Sequence, residues 1–580
     1  MNRPKKIKSG IHKESPRSMV AHVLSIMMIM ILALANIKDL NLLTVMNDEF
    51  GYWSNAALVA GYDWKDLAMN TPYYSFGYSL VLIPLFWIFK STATMYRAAI
   101  ILNALMLCVS YFCCYFTLKR MPHKASDEYL AAISGAVMLM CGDLFHMKIA
   151  WCETFMTMLM WLMVFLIGRL EEKFRYKDYA AIHIIMLLMY ITHQRTIGIF
   201  ISLFMIMFLI LYKHKKKKLI ILTGLGIVGI YFAQKGMRIF QDNLIDNSRV
   251  TSTNVLSVQA DVIEDYANKI SDNIIYLSQS IAGKLLYALI ATFGSMVIGA
   301  KDYLKELFGD LKKRKFDKGF LVKSFIVMSF LIMFALDAVQ MMTGYRWDVV
   351  VYSRYMEFTI FPVAAYSFMC YADSGKKARY LLFGGFIGAV GMFIYLVRTV
   401  WSQYGEFFNV TCSPLIGGFY QFGGRTHIEM MCVFIVIVLT VSILILSFTA
   451  HKEGSVHLIP VLVVFVIFNI FMCSYADKWL NKSRVLFHKN TDPVYKILKS
   501  DYRDDELYFI KDDENNYCSP NVKFLQFMLG NREIHVIESI DEVKEDAIVI
   551  VNSNYELEDD SGCEEIESTG YLTVYDYSVK

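Results

Sequence analysis

The feature that most limits what this chain can fold into is the recurrence, between Met19 and Tyr475, of apolar stretches about 17 to 24 residues long, separated by short charged loops. A helix rising 1.5 Å per residue needs about 20 such residues to cross roughly 30 Å of hydrocarbon. In that solvent every backbone N–H and C=O must be satisfied internally, so only helices and closed barrels can cross. Barrel strands alternate apolar with polar residues, whereas Val433 to Phe448 has neither charge nor alternation. The chain is expected to be an all-α polytopic membrane protein. Its charged fraction of 19% agrees, since soluble domains run near a quarter.

Charge distribution predicts orientation. Residues 1–18 contain Arg3, Lys5, Lys6, Lys8, Lys13 and Arg17, which places the N-terminus in the cytoplasm by the positive-inside rule. Ala33-Leu34-Ala35 resembles a signal-peptidase site, but the many spans that follow favour a retained signal-anchor. Basic loops at Lys119–Lys124, Arg169–Lys177, Lys213–Lys218, Lys301–Lys318, Lys376–Arg379 and His451–Lys452 should share the cytoplasmic side. Spans are then expected near 19–37, 96–118, 129–147, 150–168, 179–194, 196–212, 219–235, 281–300, 320–342, 355–372, 380–400, 428–448 and 457–475, thirteen in all. Parity requires Tyr73 to Phe89, interrupted by Gly77 and Pro84, to lie in the interface or re-enter rather than cross.

Residues 476–580 are of another kind, with 12 Lys+Arg against 23 Asp+Glu, a net −11 that leaves +15 for the remainder. Strand-like Glu506–Lys511, Glu533–Glu538, Ala547–Val551 and Tyr571–Tyr575, with a helix-like Val522–Leu529 ending at Gly530, predict a small α/β domain on the extracytoplasmic side. It contains no Gly-rich phosphate loop or nucleophile motif. The organisation expected is thus a basic N-terminus (1–18), a transmembrane region (19–475, with a first outer loop at 38–95) and a soluble domain (476–580). No Cys/His metal spacing occurs; Cys518 and Cys563, alone in the tail, leave a disulfide or two free thiols open.

Polar residues at membrane depth are costly and usually mark a site. They converge on the predicted outer face. Asn47-Asp48-Glu49-Phe50-Gly51-Tyr52-Trp53 follows the first span, and Pro72-Tyr73-Tyr74-Ser75-Phe76-Gly77-Tyr78 lies two dozen residues on. A carboxylate there suits a general base toward a hydroxyl, although an interfacial acid pair in an aromatic belt would have the same spacing. The first 210 residues resemble the type C (GT-C fold) membrane glycosyltransferases, the class of the protein O-mannosyltransferases and lipid A aminoarabinose transferases. That resemblance implies transfer of a sugar from a polyprenyl-phosphate carrier to a glycan, lipid or protein acceptor at the outer face of the cell membrane. It also matches Asp48 to the catalytic acid residue and Glu49 to its partner.

Such a reaction needs a base, cations for the departing phosphate and a place at the lipid edge. His193 and Arg195 are candidates for the donor phosphate, as is Arg354, which would share a helix face with Glu357. Helix capping and snorkelling are the alternatives for these cations, and a structural ion pair for Arg354 with Glu357. Tyr52, Tyr73, Tyr74, Asp143, His146, Lys148, Glu153, Tyr345, Arg346 and Glu357 are candidates to line the substrates. No cofactor is expected; His146 and Glu153 could hold a divalent cation, but nothing in the spacing demands a metal. Membrane lipid is an expected partner and nucleic acid is not. The loop 236–280 reads as an amphipathic cover, and Arg425 and His427 as anchors. The rival functions are a transporter or flippase, which would want an inverted repeat and mid-span charges, a polysaccharide polymerase or ligase with arginines in a large outer loop, and a non-catalytic scaffold.

Overall fold

The computed structural model describes residues 15–72, 74–245, 270–313, 317–342, 347–374, 377–401, 408–422, 458–511, 518–543, 547–555, 557 and 562–577. Tyr73, Tyr345, Arg346, Lys376, Arg425, His427, the span 428–448, the pair His451–Lys452 and Gln259–Tyr266 of the proposed cover lie outside these residues.

Helix α1 (Pro16–Leu34) opens with the Ser15 hydroxyl accepting the Ser18 N–H at 3.1 Å and with proline at the first turn, where its missing N–H costs nothing. Next come α2 (Met46–Ala60), α3 (Lys65–Met69), α4 (Ser79–Ile88) and α5 (Thr92–Arg120). Helix α4 is 10 residues, roughly 15 Å, half a bilayer. The stretch Tyr73 to Phe89 therefore does not form a spanning helix. Helices α6 (Asp127–Met138) and α7 (Cys141–His146) replace the single span expected over 129–147, the helix breaking at Leu139–Met140. They are followed by α8 (Glu153–Glu172), α9 (Tyr176–Thr192), α10 (Ile197–Lys213) and α11 (Lys218–Leu244).

Helix α12 (Ile270–Ala291) and α13 (Met296–Lys313) likewise replace the span expected over 281–300. Phe293 (φ 50°) and Gly294 (φ 71°) adopt left-handed conformations between them, and the apolar residues after the break belong to a helix that is charged from Lys301 onward. Helices α14 (Phe320–Gln340), α15 (Glu357–Ser374), α16 (Lys377–Leu396), α17 (Pro414–Gln421), α18 (Ile459–Ser500) and α19 (Pro520–Leu529) complete the helical part. Among the described residues nine helices are long and apolar enough to span a membrane. The chain is a multi-pass membrane protein.

The bundle has two chemically different ends. At one, Arg120 pairs with Glu172 (3.7 Å), Lys213 with Glu171 (3.5 Å), Lys318 with Glu172 (2.7 Å) and Lys323 with Glu306 (2.5 Å), so the basic loops gather there. The other end carries α2, α3 and a five-stranded sheet. Its strands β1 (Glu506–Ile510), β2 (His535–Ile537), β3 (Ala547–Asn552), β4 (Glu564–Ser568) and β5 (Leu572–Tyr577) lie in the order β2-β1-β3-β5-β4. β1 runs parallel to β2 and β3, with Leu507 opposite Ile548, and β5 runs antiparallel to β3 and β4. Cys518 and Cys563 are not joined in a disulfide.

This domain is bound to the bundle along its sequence. Helix α18 is 42 residues long, roughly 63 Å, and continues from the membrane region into the acidic tail without a break. Trp64 donates its indole N–H to Gly530 O (2.6 Å), the Val536 N–H reaches Asp66 Oδ2 (3.1 Å), and the Cys518 N–H reaches Asn70 O (3.2 Å). Phe527 of α19 meets Trp53 edge to face with ring centroids 5.1 Å apart. An apolar seam with satisfied polar groups at its margin fixes the sheet over α2.

Candidate active site

Asp48 and Glu49 stand in the first turn of α2, where carboxylates are favoured by the positive helix end. Consecutive helical residues face different directions, and the two carboxylates part company. Glu49 is fully buried and accepts from the backbone N–H of Thr44 (2.5 Å), Val45 (2.7 Å) and Ala150 (3.0 Å) and from the Tyr96 hydroxyl (2.7 Å). It ties the start of α2 to α5 and to the turn before α8, and its hydrogen-bond partners are not those of Asp48. Asp48 is partly exposed; Tyr74 donates to its Oδ1 (2.6 Å) and Arg354 Nη1 to its Oδ2 (2.5 Å). Gly51 makes this possible. A Cβ there would stand 1.9 Å from the Tyr74 ring, which lies across the helix.

From Asp48 the polar chain runs inward. Arg354 Nε donates to Glu153 Oε1 (2.7 Å) while its guanidinium lies 3.9 Å over the Trp151 ring, and Arg195 Nη2 donates to Glu153 Oε2. Four residues from positions 48, 153, 195 and 354 thus form one linked group of two carboxylates and two guanidiniums. Arg195 is 5% exposed, stacks on Tyr355 at 4.5 Å, and its Nε and Nη1 have no hydrogen-bond partner among the described residues. Leaving buried donors unmade costs about 1–3 kcal/mol each, so these two donors, on different sides of the guanidinium, suit acceptors from outside the chain. His193 caps the end of α9 beside it, its Nδ1 accepting the Arg195 N–H at 3.3 Å.

A second group lies behind Trp151. His146 Nε2 bonds Glu357 Oε2 at 2.9 Å, Tyr287 donates to Glu357 Oε1, and Thr157 donates to Asp143 at 3.2 Å. One expected pairing is therefore corrected. Arg354 precedes α15 and turns to Asp48 and Glu153, while Glu357 opens α15 and turns to His146 and Tyr287, so they form no mutual ion pair. Gly142 packs against the Glu357 carboxylate, where a Cβ would stand 2.1 Å from it. Lys148 pairs with Asp477 of α18, away from Asp48. Tyr52 donates to Cys152 (3.0 Å) and packs edge-on to Tyr74 with centroids 5.4 Å apart.

Residues not singled out in the sequence also belong here. Trp151 carries the Arg354 guanidinium, and Tyr287, Lys284 and Asp337 lie buried inside long apolar helices. Lys284 Nζ donates to Ser280 Oγ (3.0 Å), and neither Asp337 oxygen has a hydrogen-bond partner among the described residues. Their signal was an ionisable residue in mid-span, Lys284 within 281–300 and Asp337 within 320–342.

A helical membrane bundle with its polar cluster at the end that carries a small α/β domain is the GT-C type of fold. ArnT from Cupriavidus metallidurans bound to undecaprenyl phosphate shares it, with a TM-score of 0.55 at 11% identity over 98% of this chain and 99% of that one. ArnT from the same organism in the apo state gives 0.52 at 11% identity, covering 96% and 97%. The resemblance drawn from the Asp48 and Tyr74 segments is met at the level of the fold. No protein-family model and no curated protein matches the sequence.

Proposed function

We propose that the chain is a membrane glycosyltransferase that moves a sugar from a polyprenyl-phosphate carrier to an acceptor hydroxyl at the extracytoplasmic face, with the N-terminus cytoplasmic and the sheet domain outside. One observation carries this reading: the Asp48, Arg354, Glu153 and Arg195 side chains form a continuous chain that ends on two unpartnered guanidinium donors. ArnT in complex with undecaprenyl phosphate supports the carrier class.

The acceptor oxygen attacks the anomeric carbon, its proton passes to Asp48, and the bond from that carbon to the phosphate oxygen breaks with the electron pair leaving on the polyprenyl phosphate. A carboxylate offers about four lone-pair sites, so Asp48 keeps acceptor capacity beyond its bonds to Tyr74 and Arg354. Arg195 meets the departing phosphate through one of its unpartnered donors, Nε or Nη1, while Nη2 stays on Glu153, a fixed planar set of donors that a lysine cannot reproduce. Arg354 contacts both the base and Glu153, and so holds the base at a set distance from Arg195, the cation that meets the phosphate. Glu153 keeps both guanidiniums in place before the donor arrives.

Asp48→Asn keeps size and shape but removes the proton acceptor. Single-turnover transfer from a polyprenyl-phosphate sugar should fall by about 10² to 10⁴, the usual contribution of a general base, with donor binding retained. Transfer at the parent rate by a folded, donor-binding variant would reduce Asp48 to an interfacial acid.

A further inference from the structure

The sheet domain contains a cleft that the transfer chemistry does not use. It measures about 630 Å³, within the range of small-molecule sites, and opens at the carboxyl ends of β1 and β3. The chain leaves β1 through α19 to β2 on one side and then places β3 on the other, so these two parallel strands flank a reversal of strand order. Ligands of open α/β sheets bind in the crevice at such a reversal. Here Asn521 comes from the first turn of α19, and Asn552, Ser553 and Asn554 from the end of β3, with Tyr571 at the rim.

Asn521 is 7% exposed and its Oδ1 has no hydrogen-bond partner among the described residues. A buried amide oxygen in a cleft wall calls for a donor from the ligand. The lining offers amides and hydroxyls, groups that both donate and accept, as sugar hydroxyls do. No Lys, Arg, Asp or Glu lines it among the described residues, and the tail has a net charge of −11, which is poor company for a phosphate or an acidic group. The lining also includes Asn47, the residue before Asp48 in the chain, whose Oδ1 accepts from the buried Lys523 ammonium at 3.0 Å.

We propose that this cleft binds a neutral saccharide, the hydroxyl-rich part of the acceptor, and holds it beside α2. The identification of the saccharide as acceptor rests on the transferase reading; its binding does not. In the test, purified full-length protein in detergent is applied to immobilised neutral oligosaccharides, with acidic oligosaccharides and inorganic phosphate as competitors. The parent should bind the neutral sugars, and Asn521→Leu and the exposed Asn554→Trp, which fills the cleft mouth without touching the core, should each weaken binding by about tenfold or more. Asp48→Asn should still bind the sugars, so a failure of the Asp48 chemistry leaves this result standing. Absence of neutral-sugar binding, displacement by phosphate or acidic sugars, or parent-like binding by both cleft variants would overturn the proposal.

Discussion

The two polar regions at the sheet end of this molecule are built on opposite principles. Around Arg195, full charges are buried and neutralise one another, Glu153 holding two guanidiniums in a setting that admits little water. In the sheet cleft the lining among the described residues carries no Lys, Arg, Asp or Glu, and its amides and hydroxyls stand beside Phe509 and Pro520. The first arrangement suits a step in which charge moves from an attacking hydroxyl to a leaving phosphate, because fixed charges in a dry site act strongly and need no reorganisation. The second suits recognition of a neutral, hydrogen-bonding surface.

Breaking the charge balance should therefore produce the larger effect. Glu153→Gln leaves two buried guanidiniums with Asp48 as their sole bonded carboxylate among the described residues, and losing one partner of a buried ion group costs roughly 3–5 kcal/mol. Thermal unfolding of the purified protein should show a marked loss of stability; an unchanged transition would mean that Glu153 is not the counter-charge of the site.

A smaller effect is expected where the cleft meets α2. Burial lowers the Lys523 ammonium to about 8, below the ordinary lysine value, because its charged form is desolvated. Below pH 8 both folded and unfolded states hold the proton and the cost of burial is fully present. Between pH 8 and about 10.5 only the unfolded state still holds it, so stability should rise with pH, by up to roughly 3 kcal/mol. Lys523→Met should abolish that rise in urea unfolding monitored across this interval, and a rise that persists would place its origin elsewhere.

The difference between the regions also governs how much of each could be read in the sequence. Asp48, Glu153, Arg195 and Arg354 stand out because an ionisable residue at the end of an apolar run is rare. Their partners do not, since Arg354 and Glu357 are three residues apart yet part at the start of α15, and Asp48 and Glu49 diverge because adjacent helical positions face different ways. The helix breaks at Leu139–Met140 and Phe293–Gly294 lie within stretches whose hydropathy is that of a span, so composition alone does not reveal them. In the tail, β1, β3 and β5 announce themselves by apolar residues, whereas β4, Glu564–Ser568, is charged and lies at the edge of the sheet, where side chains face water. The cleft was illegible for a related reason: serine and asparagine in loops are common, and only the fold brings Asn47 to Asn521 and Asn552.

The account stands most directly on the two free donors of Arg195. An electron cryomicroscopy structure of the full-length protein in lipid nanodiscs with a polyprenyl phosphate should show the phosphate within hydrogen-bond distance of Arg195 Nε or Nη1, with Asp48 still bonded to Arg354. A phosphate bound elsewhere, with both Arg195 donors left bare, would contradict it.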